Sequence, residues 1–344
     1  MKKLLIPICA LSLLASCNFL KKDPLPFITP ENFYKSADDA EASITATYDA
    51  LQGTGAYGQD LNVMGEMPSD NCTSANGDVI PMDIMTWNST TSQVNNVFQQ
   101  AYLGVNRANL VLQYVPAITM DTVRRAQIAG EARFIRALCY FNLVRAYGGV
   151  PLRLAPTLTS NPSETNLPRA TADQVYAQVV ADLTRAALQM ATSNPNRATQ
   201  NSANALLARV QLTQRNWAAA QAAAAKVIAG GVALNSSFKA LFPAENKGSE
   251  SLFEIEYEGS ADGGNILPDL VLPAPPATYS FPKFNIPTAE LISYADTTND
   301  LRWKYIGRTN AGRDHGSYVD AGRGTGNDKG PFVYKWPNNP NGFN

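Results

Sequence analysis

Apolar positions recur at helical spacing over much of the chain. Ala40, Ile44, Tyr48 and Leu51 fall at intervals of four and three, which predicts one buried helix face. The S-x-x-D pattern from Ser36 to Asp39 opens that helix, and Gly53 and Gly55 close it. A second helix is predicted over about 94–115, with Val94, Phe98, Ala101, Val105 and Leu112 on one face and Pro116 at its end. The strongest runs from Asp121, a capping residue, to Tyr147. There Ala129, Ala132, Leu138, Phe141 and Val144 interleave with Ile128, Phe134 and Ile135, so the apolar stripe is wide enough for contact on more than one side. Gly148-Gly149 and then Pro151 stop it. Thr171 begins another helix, with Gln174 completing a capping box and Val175, Val179, Leu183, Ala186 and Met190 along one face.

A compact pair follows, over 202–214 and 217–229, ended by Gly230-Gly231. Its alanine-rich run from Ala218 to Ala225 lets helices approach closely, and Trp217 reads as core. The pair resembles a tetratricopeptide-like hairpin, although its match to the repeat consensus is poor. Residues 53–93 break the pattern. They are rich in Gly, Asn, Asp, Ser and Thr, with Tyr57, Met64, Met67, Met82, Met85 and Trp87 scattered among them. An irregular excursion of this length is uncommon unless it is functional or disordered. Beyond 231 the chain is rich in Gly, Pro and Asn, with one predicted strand over Leu252–Tyr257 that alternates with period two. Such a stretch must drape over the helical body. The fold class is therefore mainly α, with long irregular loops and a few short strands.

Composition narrows the function. With 28 basic and 29 acidic residues the chain has no basic surplus for phosphates, which argues against nucleic acid as a partner. Lys2-Lys3, an apolar run from Leu4 to Leu14, and Leu14-Ala15-Ser16-Cys17 form a signal peptide ending at a cysteine. The apolar run is too short to span a bilayer. Cys17 at this point resembles a bacterial lipobox, which implies cleavage before it and diacylation of Cys17. Each buried methylene contributes about 0.8 kcal/mol, so two chains anchor stably. Residues 1–16 are then the leader and 17–30, with three prolines, an extended tether. Cys72 and Cys139 lack metal-ligand spacing. Cys139 reads as a small apolar helix residue; an oxidising compartment would permit a Cys72–Cys139 disulfide, but the sequence does not place their Cα atoms.

Residues 130–152 read Gly-Glu-Ala-Arg-Phe-Ile-Arg-Ala-Leu-Cys-Tyr-Phe-Asn-Leu-Val-Arg-Ala-Tyr-Gly-Gly-Val-Pro-Leu. This resembles the signature helix and turn of the SusD/RagB family. Tyr102, Asn106 and Asn109 before it, Arg169 with Val175-Tyr176 and Asp182-Leu183 after it, and Ala205 to Arg209 with Trp217 are similar to successive family blocks. Glu250 to Ile255, Asp300-Leu301-Arg302, and Cys17 with Pro24 extend the match along nearly the whole chain. The resemblance implies a tetratricopeptide-like helical body over 31–230, carrying the 53–93 excursion, and a loop-rich ligand face over 231–344. It implies a lipid-anchored protein at the cell surface of the outer membrane that binds an oligosaccharide, or another nutrient such as a peptide, and delivers it to a SusC-like TonB-dependent transporter. No catalysis and no cofactor are implied. Members of the family continue past a segment like Phe332–Trp336 into a further helical repeat, so the resemblance also implies that these 344 residues are part of a longer protein.

Sugar rings present apolar C–H faces and dense hydroxyls, so a site needs an aromatic platform and short polar groups. Candidate ligand contacts are Asp70 with Asn71 and Trp87 with Asn88 in the excursion, of which Asp70 and the Trp87-Asn88 pair fall where the family often places such contacts, together with Tyr279 and Trp303 in the second loop region. Trp87 serves equally as core filler, and Asp70 as a loop cap. Tyr279, Phe281, Trp303, Tyr305 and Tyr318 each read individually as packing. Glu131, Arg133 and Arg136 read as a structural polar network. The single histidine, His315, supports no triad or multi-histidine metal site, and neither HExxH nor GxSxG occurs. No metal site is read from the sequence. The competing readings are a surface glycan hydrolase, which two of the many carboxylates would serve, and a helical-repeat scaffold lipoprotein.

Overall fold

The computed structural model describes residues 29–194, 196–236, 241, 249–257, 264–271 and 283–294. After a single turn, α1 (Pro30–Phe33), helix α2 (Ala37–Asp49) starts on a capping box. Ser36 Oγ accepts from the Asp39 amide and the Asp39 carboxylate accepts from the Ser36 amide. A five-residue π turn (Thr54–Gly58) and the short helices α3 (Asp60–Glu66) and α4 (Ile80–Asp83) follow. Then come the long helices α5 (Ser92–Tyr114) and α6 (Thr122–Tyr147). A turn, α7 (Pro162–Thr165), leads to α8 (Ala172–Gln189), α9 (Gln200–Thr213) and α10 (Trp217–Ala229). Asp121 and Thr171 cap as their sequence positions predict.

Neighbours in sequence are neighbours in space: α5 packs on α6, α6 on α8, α8 on α9 and α9 on α10. This serial antiparallel stacking is the tetratricopeptide-like arrangement. Helix α6 sits at the centre, buried from Ile128 to Val144 on nearly every side, as its wide stripe requires. Small residues set the spacing. A Cβ on Gly104 of α5 would lie 2.7 Å from Cys139 Sγ, and one on Gly130 of α6 would meet Met190 at 2.8 Å. The two glycines ending α6 have separate reasons: Gly148 takes φ +70°, while a Cβ on Gly149 would collide with the Ala170 carbonyl.

Polar side chains of α6 lock the core. Arg136 donates from Nε and Nη2 to Asp182 (2.8 and 2.7 Å) and from Nη1 to Asn109 (2.7 Å), all three residues being buried. Buried Glu131 joins Arg124 and Arg197, which also hold Glu41. Arg133 donates to Gln189. The structural reading of these three residues therefore holds.

Three expectations are corrected. Residues 53–93 are not irregular throughout: Val63, Met67, Cys72, Val79 and Met82 form a second small core with Leu270 and Phe284. Its helical turns are too short to show a period in sequence. Residues 252–257 form no strand. Phe253 and Ile255 do pack on the main core, but the chain bonds instead to side chains: Ser202 donates to the Leu252 carbonyl and Gln52 to that of Glu256. The short strands described are β1 (Cys72–Thr73) and β2 (Ile286–Pro287), paired antiparallel with Cys72 opposite Pro287. Two further short helices, α11 (Leu267–Val271) and α12 (Ala289–Ser293), flank β2. Trp217 is 63% exposed, not core. It stands at the margin of the stripe Ala220, Ala223, Val227 that α10 buries, where small side chains give an indole little to lean on.

Candidate ligand cleft

The second half of α6 turns one face outward between α3 and α9. Leu138, Phe141, Asn142 and Arg145 follow at i, i+3, i+4 and i+7, so all four point into the same space. Leu206 and Arg209 of α9 face them, and Leu61, Asn62 and Met64 of α3 close a third side. The result is an open cleft of about 430 Å³, within the ~300–1,000 Å³ usual for small-ligand sites. A neighbouring cavity of about 590 Å³ shares Tyr57, Asn62, Leu138, Leu206 and Arg209 with it, and reaches Ser202 and the 250–257 segment.

Trp87 reaches this cleft from the excursion. The chain leaves α4 through Met85, which takes a left-handed φ of 56°, and Thr86 donates back to the Pro81 carbonyl. Trp87 then lines the rim with 40% of its surface exposed, available as a flat platform. Tyr57 lies at the floor. Its hydroxyl accepts from Asn142 Nδ2 (3.0 Å), and its carbonyl accepts from Asn62 Nδ2 (3.0 Å). Burial pushes the Tyr57 phenol up to about 12, so it keeps its O–H at physiological pH and can donate a hydrogen bond. The Oδ1 atoms of Asn62 and Asn142 have no hydrogen-bond partner among the described residues, which leaves them for a hydroxyl. Arg145 lies over the Phe141 ring, 5.3 Å from its centre.

Of the candidates read from sequence that fall among the described residues, only Trp87 lines this cleft. Asp70 and Asn71 lie apart and act through their backbone: the Asp70 carbonyl accepts from the Thr288 hydroxyl and the Asn71 carbonyl from the Thr288 amide, which pins β2 against β1. Their side chains are exposed. Asn88 is a loop cap, its Oδ1 accepting from the amide and hydroxyl of Thr90. Cys17, Tyr279, Phe281, Trp303, Tyr305, His315 and Tyr318 lie outside the described residues. Tyr57, Asn62, Asn142, Arg145 and Arg209 escaped the sequence reading. Their signal was slight: Asn142 and Arg145 are polar residues three apart beside an apolar stripe. Cys72 and Cys139 are free and buried in separate cores, so the optional disulfide is absent. Among the described residues no cluster of three metal-ligating side chains occurs, and no helix is long and apolar enough to cross a membrane.

A family model for SusD-like proteins, described as starch-binding and associating with the outer membrane, matches residues 31–212. The chain belongs to the SusD-like family. Two curated SusD-like proteins of Formosa agariphila are 27% and 29% identical to it over 288 and 295 residues, 79% of this chain in each case. The chain spans 56% and 57% of their lengths. Among solved structures, a laminarin-binding SusD-like protein is 26% identical with TM-score 0.68, covering 78% of this chain and 65% of that one. A SusD-like protein of Bacteroides fragilis, 23% identical, superposes with TM-score 0.65 over 79% of this chain and 55% of its own, and supports the shared fold. The signature Arg136–Asp182–Asn109 cluster and the Gly148-Gly149 turn are thus structural features of a SusD-like body, separate from the cleft.

Proposed function

We propose that this protein captures an oligosaccharide at the outer surface of the outer membrane, tethered through a lipid on Cys17, and passes it uncleaved to a SusC-like TonB-dependent transporter. One observation carries the reading: a half-exposed indole, Trp87, shares a cleft with the amides of Asn62 and Asn142, the pairing of apolar platform and hydroxyl partners that a sugar ring needs. Family membership and a relative described as laminarin-binding support the same ligand class. No carboxylate is among the described residues lining the cleft, which favours capture over hydrolysis. Titration calorimetry with laminari- and malto-oligosaccharides, paired with chromatography of the incubated sugars, tests this. Saturable binding without products, weakened about tenfold or more by Trp87→Ala, is the expected result. Release of shorter sugars, or no binding to any saccharide, overturns it.

A further inference from the structure

The cleft holds two positive charges that no described residue pairs with a negative one. Elsewhere the arginines of the helical body are mostly engaged: Arg107 with Asp49, Arg124 and Arg197 with Glu41 and Glu131, Arg136 with Asp182. Arg153 donates to the carbonyls of Glu164 and Thr165, and Arg125 to that of Ile118. Arg145 and Arg209 have no ion pair and no side-chain hydrogen bond with any described residue, yet both line the cleft. Arg169, Arg185 and Arg215 are unpaired too, but none of them faces this cavity.

The pair is placed by two different helices. Arg145 stands in the last turn of α6 and Arg209 near the end of α9, and the packing of both helices on α8 brings the two into one space, with Leu138 and Leu206 between them in the lining. The charges of both guanidiniums act on the one Tyr57 hydroxyl, each opposing the upward push that burial gives it. No Asp or Glu is among the described lining residues, so nothing within the cleft balances them. Glu250, the carboxylate among the described residues lining the adjoining cavity, accepts from the Asn235 amide and lies outside the cleft itself. Phe141 beneath Arg145 restrains its guanidinium without spending its donors.

Guanidinium groups match planar or tetrahedral oxyanions through paired hydrogen bonds, and such charge-assisted bonds are roughly twice as strong as neutral ones. We propose that the cleft selects acidic saccharides, seating a sugar carboxylate or sulfate between Arg145 and Arg209 while the ring lies on Trp87. This rests on the capture reading above and sharpens it to a ligand class. The overall charge of −1 gives no long-range attraction for an anion, so the preference is local and appears mainly as slower release.

The test is calorimetry on the full chain with three oligosaccharides of equal length: an oligogalacturonate, a sulfated galactan fragment and a neutral laminari-oligosaccharide. At low ionic strength at least one acidic sugar binds about tenfold or more tighter than the neutral one, and salt erodes that margin. Arg145→Gln and Arg209→Gln each narrow the gap between acidic and neutral ligands, whereas Trp87→Ala weakens both kinds; circular dichroism confirms that the variants fold. Comparing carboxylate with sulfate identifies which anion the pair takes. Neutral sugar binding as tightly as both acidic ones, or a margin untouched by both arginine variants, overturns the selectivity and leaves capture standing. Binding of no saccharide at all overturns both.

Discussion

Replacing Asp182 by Asn isolates the charge that holds the centre of the helical stack. The Arg136 and Asp182 side chains are only 9% and 5% exposed, and the carboxylate accepts two of the three side-chain hydrogen bonds that Arg136 makes. Asn keeps the shape and one acceptor, but turns an NH₂ toward a guanidinium N–H. It also strips the counter-charge from a buried cation, leaving two neutral amide oxygens, that of Asn109 and that of the new side chain, in its place. Removing one partner of a buried pair costs about 3–5 kcal/mol, a large part of the ~5–15 kcal/mol by which a domain is stable. Urea unfolding followed by circular dichroism at neutral pH measures the loss, and an unchanged denaturant slope shows that the two states are still those of the wild type. The double variant Arg136→Met with Asp182→Leu removes both charges and is expected to be more stable than Asp182→Asn. A loss under about 1 kcal/mol for Asp182→Asn would mean the pair behaves as a solvated one, and the reasoning from burial would be wrong.

Gly104→Ala sets helix propensity against space: the new methyl gains up to about 1 kcal/mol in a helix interior, but overpacking against Cys139 Sγ, 2.7 Å away, costs about 1–3 kcal/mol. The substitution is therefore neutral to destabilising alone and becomes stabilising on a Cys139→Ala background, as denaturant titrations of the four proteins would reveal. The hydrogen bond from Arg124 holds the Glu41 carboxyl below its ordinary 4.5. Its contribution is full above that value and disappears as pH falls through the lower folded one. Because Glu41 is 39% exposed and screened, Glu41→Gln costs at most about 1 kcal/mol at neutral pH, and the difference from wild type vanishes in acid; a gap that widens below pH 4.5 contradicts this. Burial pushes the Cys72 and Cys139 thiols up to about 12, so peptide mapping after alkylation at mild pH finds both unmodified until the chain is unfolded. A disulfide-linked pair of those peptides would refute the assignment.

The helices and their ends were legible in the sequence because the interactions that define them close within a few residues. The Ser36–Asp39 and Thr171–Gln174 boxes span three positions, and Gly148 answers to its own backbone angle. The wide stripe of 121–147 likewise announced a central helix, since a side chain on every face must find a partner. What only the tertiary structure decided depends on residues far apart in sequence. The alternation at 252–257 shows an extended chain, but whether its carbonyls meet a strand or the side chains of Ser202 and Gln52 is settled by what lies opposite. An alanine-rich helix does not say which of its sides is covered, and Trp217 fell on the open one. Cys72 and Cys139 are separated by the division of the apolar residues into two cores, which no spacing records. Arg145 and Arg209, sixty-odd positions apart, meet at one cleft only because α6 and α9 both pack on α8, so a site made by helix packing stays hidden until the packing itself is known.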